Sequence, residues 1–355
     1  MSVIINGTEG IDFNDGSNQS TSATPYARKN LIINGDMRIA QRGTSTASIT
    51  TGGYYTVDRW RLDYGTAGTW TMSRDTDVPT GQGFATSMKW DCTTANASLS
   101  AGSAMIINQR IEGQNLQHLK KGTSNAESVT LSFWVKSNKT GTYIAEIYDN
   151  DNTRQISKSY TIASADTWEK KTLTFAGDTT GTLGNDNDTS LFVNLWLVAG
   201  TDLTSGTLNT SWSSVTASNR AVGQVNLADN TANYINITGL QLEIGDSASD
   251  FEFVPYDMEF ASCQRYYQVG DVHLFAGGGG SGDGTVLFPV QMRANPTVTF
   301  SDSAGTANTY TDSAGNGQSF SINVNSANTY RFRLQNLLAR TATWWEMNYT
   351  LSAEL

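Results

Sequence analysis

The chain is poor in the side chains that carry chemistry. Of 355 residues only two are histidine and two cysteine, and charged residues make up 16%. His118 and His273 have no His, Cys or carboxylate at metal-ligand spacing, which excludes a zinc motif. No Gly-x-Ser-x-Gly elbow accompanies either histidine, so the nucleophile signature of a hydrolase triad is missing and both read as structural or solvated. Cys92 and Cys263 lie too far apart to imply a disulfide framework or a metal site. No metal or cofactor is expected. Long apolar runs are also absent, so no helical membrane span is predicted. No basic segment followed by an apolar stretch opens the chain, so no secretory signal is expected. Positive charge is scarce: 23 Lys and Arg against 33 Asp and Glu leave a net charge of −10. Nucleic acid is therefore not an expected partner, since phosphate binding needs clustered Lys and Arg. The pairs Lys120-Lys121 and Lys170-Lys171 read as solvated surface.

What is present points to strands and turns. There are 33 Gly, and roughly a quarter of the residues are Ser or Thr, a composition suited to strands joined by turns. Nine Trp, 14 Tyr and 13 Phe supply buriable surface, which argues against disorder of the whole chain. From Asn30 onward the alternation is strong. Val129, Leu131, Phe133 and Val135 share one face of a strand, and Ser132, Trp134 and Lys136 share the other. Tyr143, Ala145 and Ile147 alternate with Ile144, Glu146 and Tyr148. Leu191 to Val198 is apolar on both faces, as a strand in mid-sheet would be. Ile235, Ile237, Leu240, Leu242 and Ile244 give one more strand or a bent pair. The pattern predicts a mainly β protein built on an antiparallel sandwich.

One helix stands out after Pro255, with Asp257 as candidate N-cap, Glu259 in the first turn, and Phe260, Cys263 and Tyr267 at helical spacing. Short strands resume after Gly277–Gly284. The expected domains are a polar leader over 1–29, a sandwich over 30–255, a linker helix over 256–270, and a small C-terminal β-sandwich over 271–355.

Several segments resemble a known family. Asn30-Leu-Ile-Ile-Asn-Gly-Asp-Met37, Arg38-Ile-Ala-Gln-Arg-Gly43 and Tyr55-Thr-Val-Asp-Arg-Trp60 are similar to the opening of a jelly-roll module in bacteriophage tail-fibre and receptor-binding proteins. Leu131–Ser137, Trp168–Phe175, Ile237–Glu243 and Phe251–Tyr256 follow in the same order, then Cys263–Tyr267, Phe288–Arg293 and the ending Ser352–Leu355. Gly10–Ser17 resembles the virion-anchoring leader. The jelly roll is in turn similar to carbohydrate-binding modules, which often hold a structural calcium; Thr238-Gly239 stands where its acidic residues would be expected, so that calcium does not carry over.

The resemblance implies a virion location, a homotrimer, contact with other virion proteins through residues 1–29, and adhesion to host surface polysaccharide without membrane insertion. Sugars are held by aromatic faces, with nearby polar groups bonding the hydroxyls. Trp134, Tyr148, Trp168 and Trp196 lie opposite the core-facing residues of their strands and are the candidate ligand-binding residues; burial of such Trp residues in a core is the competing reading. Trp344-Trp345 puts one indole on each face of its strand, one inward and one exposed or between subunits. Asp149/Asp151 and Asp186/Asp188 have Asp-x-Asp spacing but no EF-hand glycine or closing Glu, and read as hairpin turns. Gly277–Gly284 lacks a following Gly-Lys-Ser/Thr and reads as a flexible loop. A non-enzymatic adhesin is the expected function. The alternatives are a structural head fibre, decoration or adaptor protein without ligand, and a glycan depolymerase.

Overall fold

The computed structural model describes residues 4–6, 10–12, 18–19, 28–275, 282–312, 317–319, 323–337 and 344–355. Strands dominate, and all paired strands run antiparallel. A six-stranded sheet has the spatial order Glu169–Phe175, Val129–Ser137, Tyr234–Ile244, Ser87–Thr94, Thr69–Asp75 and Ser45–Ile49. A seven-stranded sheet packs on it, ordered Ser213–Ser214, Arg154–Ile162, Gly141–Asp149, Thr189–Ala199, Ala104–Glu112, Arg61–Gly65 and Gly53–Tyr54. Together they make the jelly-roll sandwich that the alternation predicts. Leu131, Phe133 and Val135 face inward and join Tyr143, Ala145 and Ile147 in one buried cluster. Phe133 meets Tyr160 of the opposite sheet edge-on at 5.1 Å between centroids. Each fully buried side chain of this size contributes about 1.5–3 kcal/mol.

The bent strand Tyr234–Ile244 has a definite cause. Ser132 pairs with Gln241 but Trp134 with Thr238, so one extra residue is accommodated near Gly239. That bulge shifts the parity and lets Ile235, Ile237, Leu240 and Leu242 all point into the core. The opening motif lies against the same strand. Asn30 Nδ2 donates to the Leu240 carbonyl, and the Asn30 side-chain oxygen accepts from the Leu242 amide. Gly35 approaches so closely that a Cβ there would sit 2.1 Å from the Leu240 oxygen. The Asn-Leu-x-x-Asn-Gly pattern is thus a docking device for the chain's entry into the sandwich.

The helix spans Tyr256–Gln264. Its N-cap position is Pro255, so Asp257 lies inside the first turn and is not the cap; Tyr267 already begins a strand. Glu259 is buried and bonded to Arg28 at 2.5 Å. Beyond the helix a second cluster forms around Phe300, Phe332, Trp345, Met347, Tyr349 and Leu351. Trp345 points inward, whereas Trp344 is half-buried on the outer face beside His273. The sheet holding Trp345 starts at Tyr267, a few residues before the expected boundary. Gly282–Gly284 belong to the strand Gly282–Leu287; the preceding part of the glycine run lies outside the described residues. Of the leader, Ile4–Asn6, Gly10–Asp12 and Asn18–Gln19 pair as a small antiparallel sheet, and the rest of residues 1–27 lies outside the described residues.

One expectation fails outright. Lys121 is not solvated surface: its ammonium is buried between the carboxylates of Asp149 and Asp178, the latter at 3.0 Å, and donates to the carbonyls of Thr180 and Gly181 at 3.1 and 2.9 Å. Arg154 bonds Asp178 from the other side. Burial pushes the Asp178 carboxyl up, but Arg154 and Lys121 outweigh it and hold it below the usual carboxylate range. Asp149 also accepts from the Asn152 amide, the turn role its spacing suggested. Asp186 does the same for the Asp188 amide. Among the described residues no three His, Cys, Asp or Glu side chains gather as a metal site, and no helix is long and apolar enough to cross a membrane.

Candidate functional site

The outer face of the six-stranded sheet carries Ser132, Trp134 and Lys136, the polar half of the alternation. Trp134 lies half-buried between Lys170 on one neighbouring strand and Thr238 on the other. Two connections rise beside it, the loop 76–86 and the segment 249–254. Between them runs a groove of about 370 Å³ lined by Gln82, Phe84, Trp134, Lys170, Asp250 and Phe253, among others. A volume of this order suits a ligand of a few sugar units.

The wall is a packed aromatic trio. Phe84 meets Phe251 at 5.1 Å and Phe253 at 5.3 Å, and Phe251 meets Phe253 at 4.9 Å. Phe253 keeps 51% of its surface exposed. Gly239 makes this wall possible: a Cβ there would lie 2.5 Å from the Phe84 ring, and its φ of +64° is one that glycine adopts freely. The bulge that rescues core parity therefore also seats the groove's aromatic wall.

Trp168 lies on the same side of the molecule. Its indole Nε1 donates to Asp77 Oδ1 at 3.0 Å, and Lys136 donates to Asp77 Oδ2 at 2.5 Å. Burial raises the Asp77 carboxyl, but the bonds from Lys136 and Trp168 outweigh it and leave Asp77 below its ordinary range. Asp77 belongs to the loop that walls the groove, so Trp168 braces that loop against the sheet.

The other two candidates sit on the opposite sheet. Trp196 has no exposed surface: it packs with Ile106, Ile144, Ala199 and Ala221 in a small second core beneath the connection 200–221. Its Nε1 donates to Glu146 Oε2 at 3.2 Å, and Arg220 closes over the ring. A ring covered in this way cannot stack on a sugar, so Trp196 is structural. Tyr148 is half-buried, 5.4 Å from Phe192, with the Arg220 guanidinium 5.2 Å from its ring centre. The four aromatics therefore form no single site; Trp134 and Trp168 share one face, and Tyr148 lies on the other.

Alternation alone did not reveal Phe84, Phe251 and Phe253, because they come from connections. The available signal was chemical: Phe251 and Phe253 alternate within a polar exit segment that has no sheet partner to bury them. Among the described residues that line the groove, Asp250 is the only carboxylate.

No family model matches the chain, and no curated protein matches its sequence. Solved structures with a similar fold include the enzymatically active domain of bacteriophage CBA120 tailspike protein 4, at 16% identity and a TM-score of 0.32, covering 61% of this chain and 21% of that one. A putative sugar binding protein from Bacteroides thetaiotaomicron matches at 16% identity and a TM-score of 0.34, covering 61% of this chain and all of that one. A family 11 carbohydrate-binding module from Clostridium thermocellum, in complex with a mixed-linked tetrasaccharide, matches at 11% identity and a TM-score of 0.29, covering 58% and 98%. The match spans about a fifth of the tailspike chain's length.

Proposed function

We propose that this chain is a non-catalytic glycan-binding protein, and that it serves as a trimeric virion fibre attaching a bacteriophage to host surface polysaccharide. The observation that carries the binding reading is the groove itself. An outward-facing indole, Trp134, lies in an open channel with an exposed phenyl ring, Phe253, on its wall. Gln82, Lys170 and Asp250 are placed to bond hydroxyls. Aromatic rings take the C–H face of a pyranose, and fixed polar groups set its orientation.

The virion assignment rests on the sequence resemblance. The trimer rests on the same resemblance. Threefold linkage makes weak single-groove binding sufficient, because each later contact is intramolecular. Whole-cell and glycan-array binding by the recombinant chain tests the proposal. Adhesion to the host and to defined polysaccharides is expected; a properly folded chain that binds no glycan would leave the purely structural reading. Release of reducing sugar from host polysaccharide would make the chain an enzyme instead. Light scattering at the monomer mass of 38.4 kDa would contradict the trimer.

A further inference from the structure

A second cavity lies away from the groove, where the chain's entry, the sandwich loops, the helix and the C-terminal unit converge. It measures about 720 Å³. Its walls include Arg28 from the entry, Arg265 from just after the helix, Arg293 from the C-terminal unit and His118 from a sandwich loop. Among the described residues that line it, Asp186 is the only carboxylate. Three guanidiniums thus converge on one cavity in a protein of net charge −10.

The way each arginine is held matters. Arg265 makes a side-on pair with Glu112, through Nε at 3.1 Å and one terminal nitrogen at 2.8 Å. Glu112 is fully buried behind it and does not line the cavity. Arg28 bonds Glu259, also buried behind the wall, and its own Nε is buried without a hydrogen-bond partner. Arg293 is held by backbone carbonyls of Ala353, Asn187 and Glu354 at 2.6, 2.7 and 3.2 Å. Its nearest carboxylate, Asp188, is 3.9 Å away and 84% exposed. The guanidiniums are thus held in place on the cavity wall, with the balancing carboxylates of Glu112 and Glu259 buried behind Arg265 and Arg28. Exposed side-chain amides of Gln114, Asn115 and Gln291 stand at the rim, offering donors and acceptors matched to hydroxyls.

From this we infer a second binding site, for an acidic saccharide: a sugar unit whose carboxylate meets the arginines and whose hydroxyls meet the rim amides. The volume far exceeds what a small oxyanion fills, and preorganised guanidiniums favour planar carboxylates. Tyr266, among the described residues that line the cavity, is buried and stacked under Arg59, so its ring offers no open stacking face. This sets the site apart from the groove, and its existence does not depend on the groove reading.

The test is calorimetric titration of the full chain with a tetragalacturonate and with its neutral galactose counterpart. Two rim substitutions, Asn115→Asp and Gln291→Glu, add negative charge on exposed amides without touching the buried ion pairs. The double variant is expected to bind the acidic oligosaccharide about tenfold more weakly, because the added like charge opposes its carboxylates, and to lose clearly less affinity for the neutral one. Trp134→Ala is expected to keep acidic binding. Several outcomes would overturn the inference. These are no binding of the acidic probe, equal binding of both probes, an affinity unaltered by the rim charges, or loss of acidic binding in Trp134→Ala. The last would assign the acidic ligand to the groove and leave the groove reading standing. Displacement of the acidic probe by equimolar inorganic phosphate would also overturn it, showing a site for any oxyanion.

Discussion

Arg59 and Glu354 form a buried ion pair across 295 positions of the chain, with NH1 and Oε2 2.6 Å apart and side-chain exposures of 1% and 7%. The Arg59 guanidinium lies 3.4 Å from the centre of the Tyr266 ring, and Glu354 takes a second bond from Arg42 at 2.8 Å. Burial acts against the charge on Arg59, but Tyr266 and Glu354 outweigh it and raise its pKa. The pair ties the residues after the last strand to the sandwich and fixes how the C-terminal unit docks. The Asp58-Arg59-Trp60 motif, one carrier of the family resemblance, is therefore a docking site for the far end of the chain.

Breaking this pair from one side is expected to be costly. Glu354→Ala leaves the Arg59 charge buried with reduced compensation, and urea unfolding should show a loss of about 3–5 kcal/mol. Replacing both partners by apolar residues, Arg59→Met with Glu354→Leu, should cost clearly less than the single change.

Lys121 makes the same point inside the sandwich. Its ammonium is the cation in a cage of two carboxylates and two carbonyls. Lys121→Met is expected to destabilise by about 3–5 kcal/mol, and adding Asp149→Asn should recover part of the loss by removing one uncompensated charge. A Lys121→Met protein as stable as the parent in thermal unfolding would show that the cage contributes nothing.

Acid should unfold the protein through identifiable groups. Asp178 and Glu112 are buried, but Arg154 with Lys121, and Arg265, respectively outweigh burial and hold both carboxyls below their ordinary values of 3.8 and 4.5. Groups depressed in the folded state contribute stability that is complete above the unfolded pKa and is lost as pH falls through the folded one. Denaturant unfolding should be nearly flat from about pH 7 to 5 and decline below about pH 4. A decline that is complete above pH 5 would point to other groups.

Gly239 couples stability to binding. Gly239→Ala places a Cβ 2.5 Å from the Phe84 ring at a φ of +64°. A loss of about 1–3 kcal/mol is expected, because a left-handed residue is strained and the ring must move. Glycan affinity should fall with it. Unchanged binding would mean that the Phe84 wall is not part of the site.

Much of this architecture was legible in the alternation, for a physical reason. A sheet with one face on a core must alternate, so Leu131, Phe133 and Val135 announced the core and Trp134 the outer face. The same logic misled at Trp196. Alternation places a side chain on a face but does not say what lies over that face, and the connection 200–221 turns an outer surface into a second core. Lys121 was misread because a charge run carries no sign of a buried partner; Asp149 and Asp178 lie 28 and 57 positions further along the chain. Loops wall the groove, and loop aromatics have no period to betray them. Phe84 and Phe253 meet because the bulge at Gly239 admits a ring, a contact settled only in three dimensions.

The most direct measurement of the central claim is titration of the parent chain and Trp134→Ala with the polysaccharide fragment that the parent binds. Trp196→Phe serves as a control on the closed face. Trp134→Ala should weaken binding at least about tenfold, by loss of the stacking face, and Trp196→Phe should alter stability but not affinity. Equal affinities for the parent and Trp134→Ala, with both proteins folded, would contradict the claim.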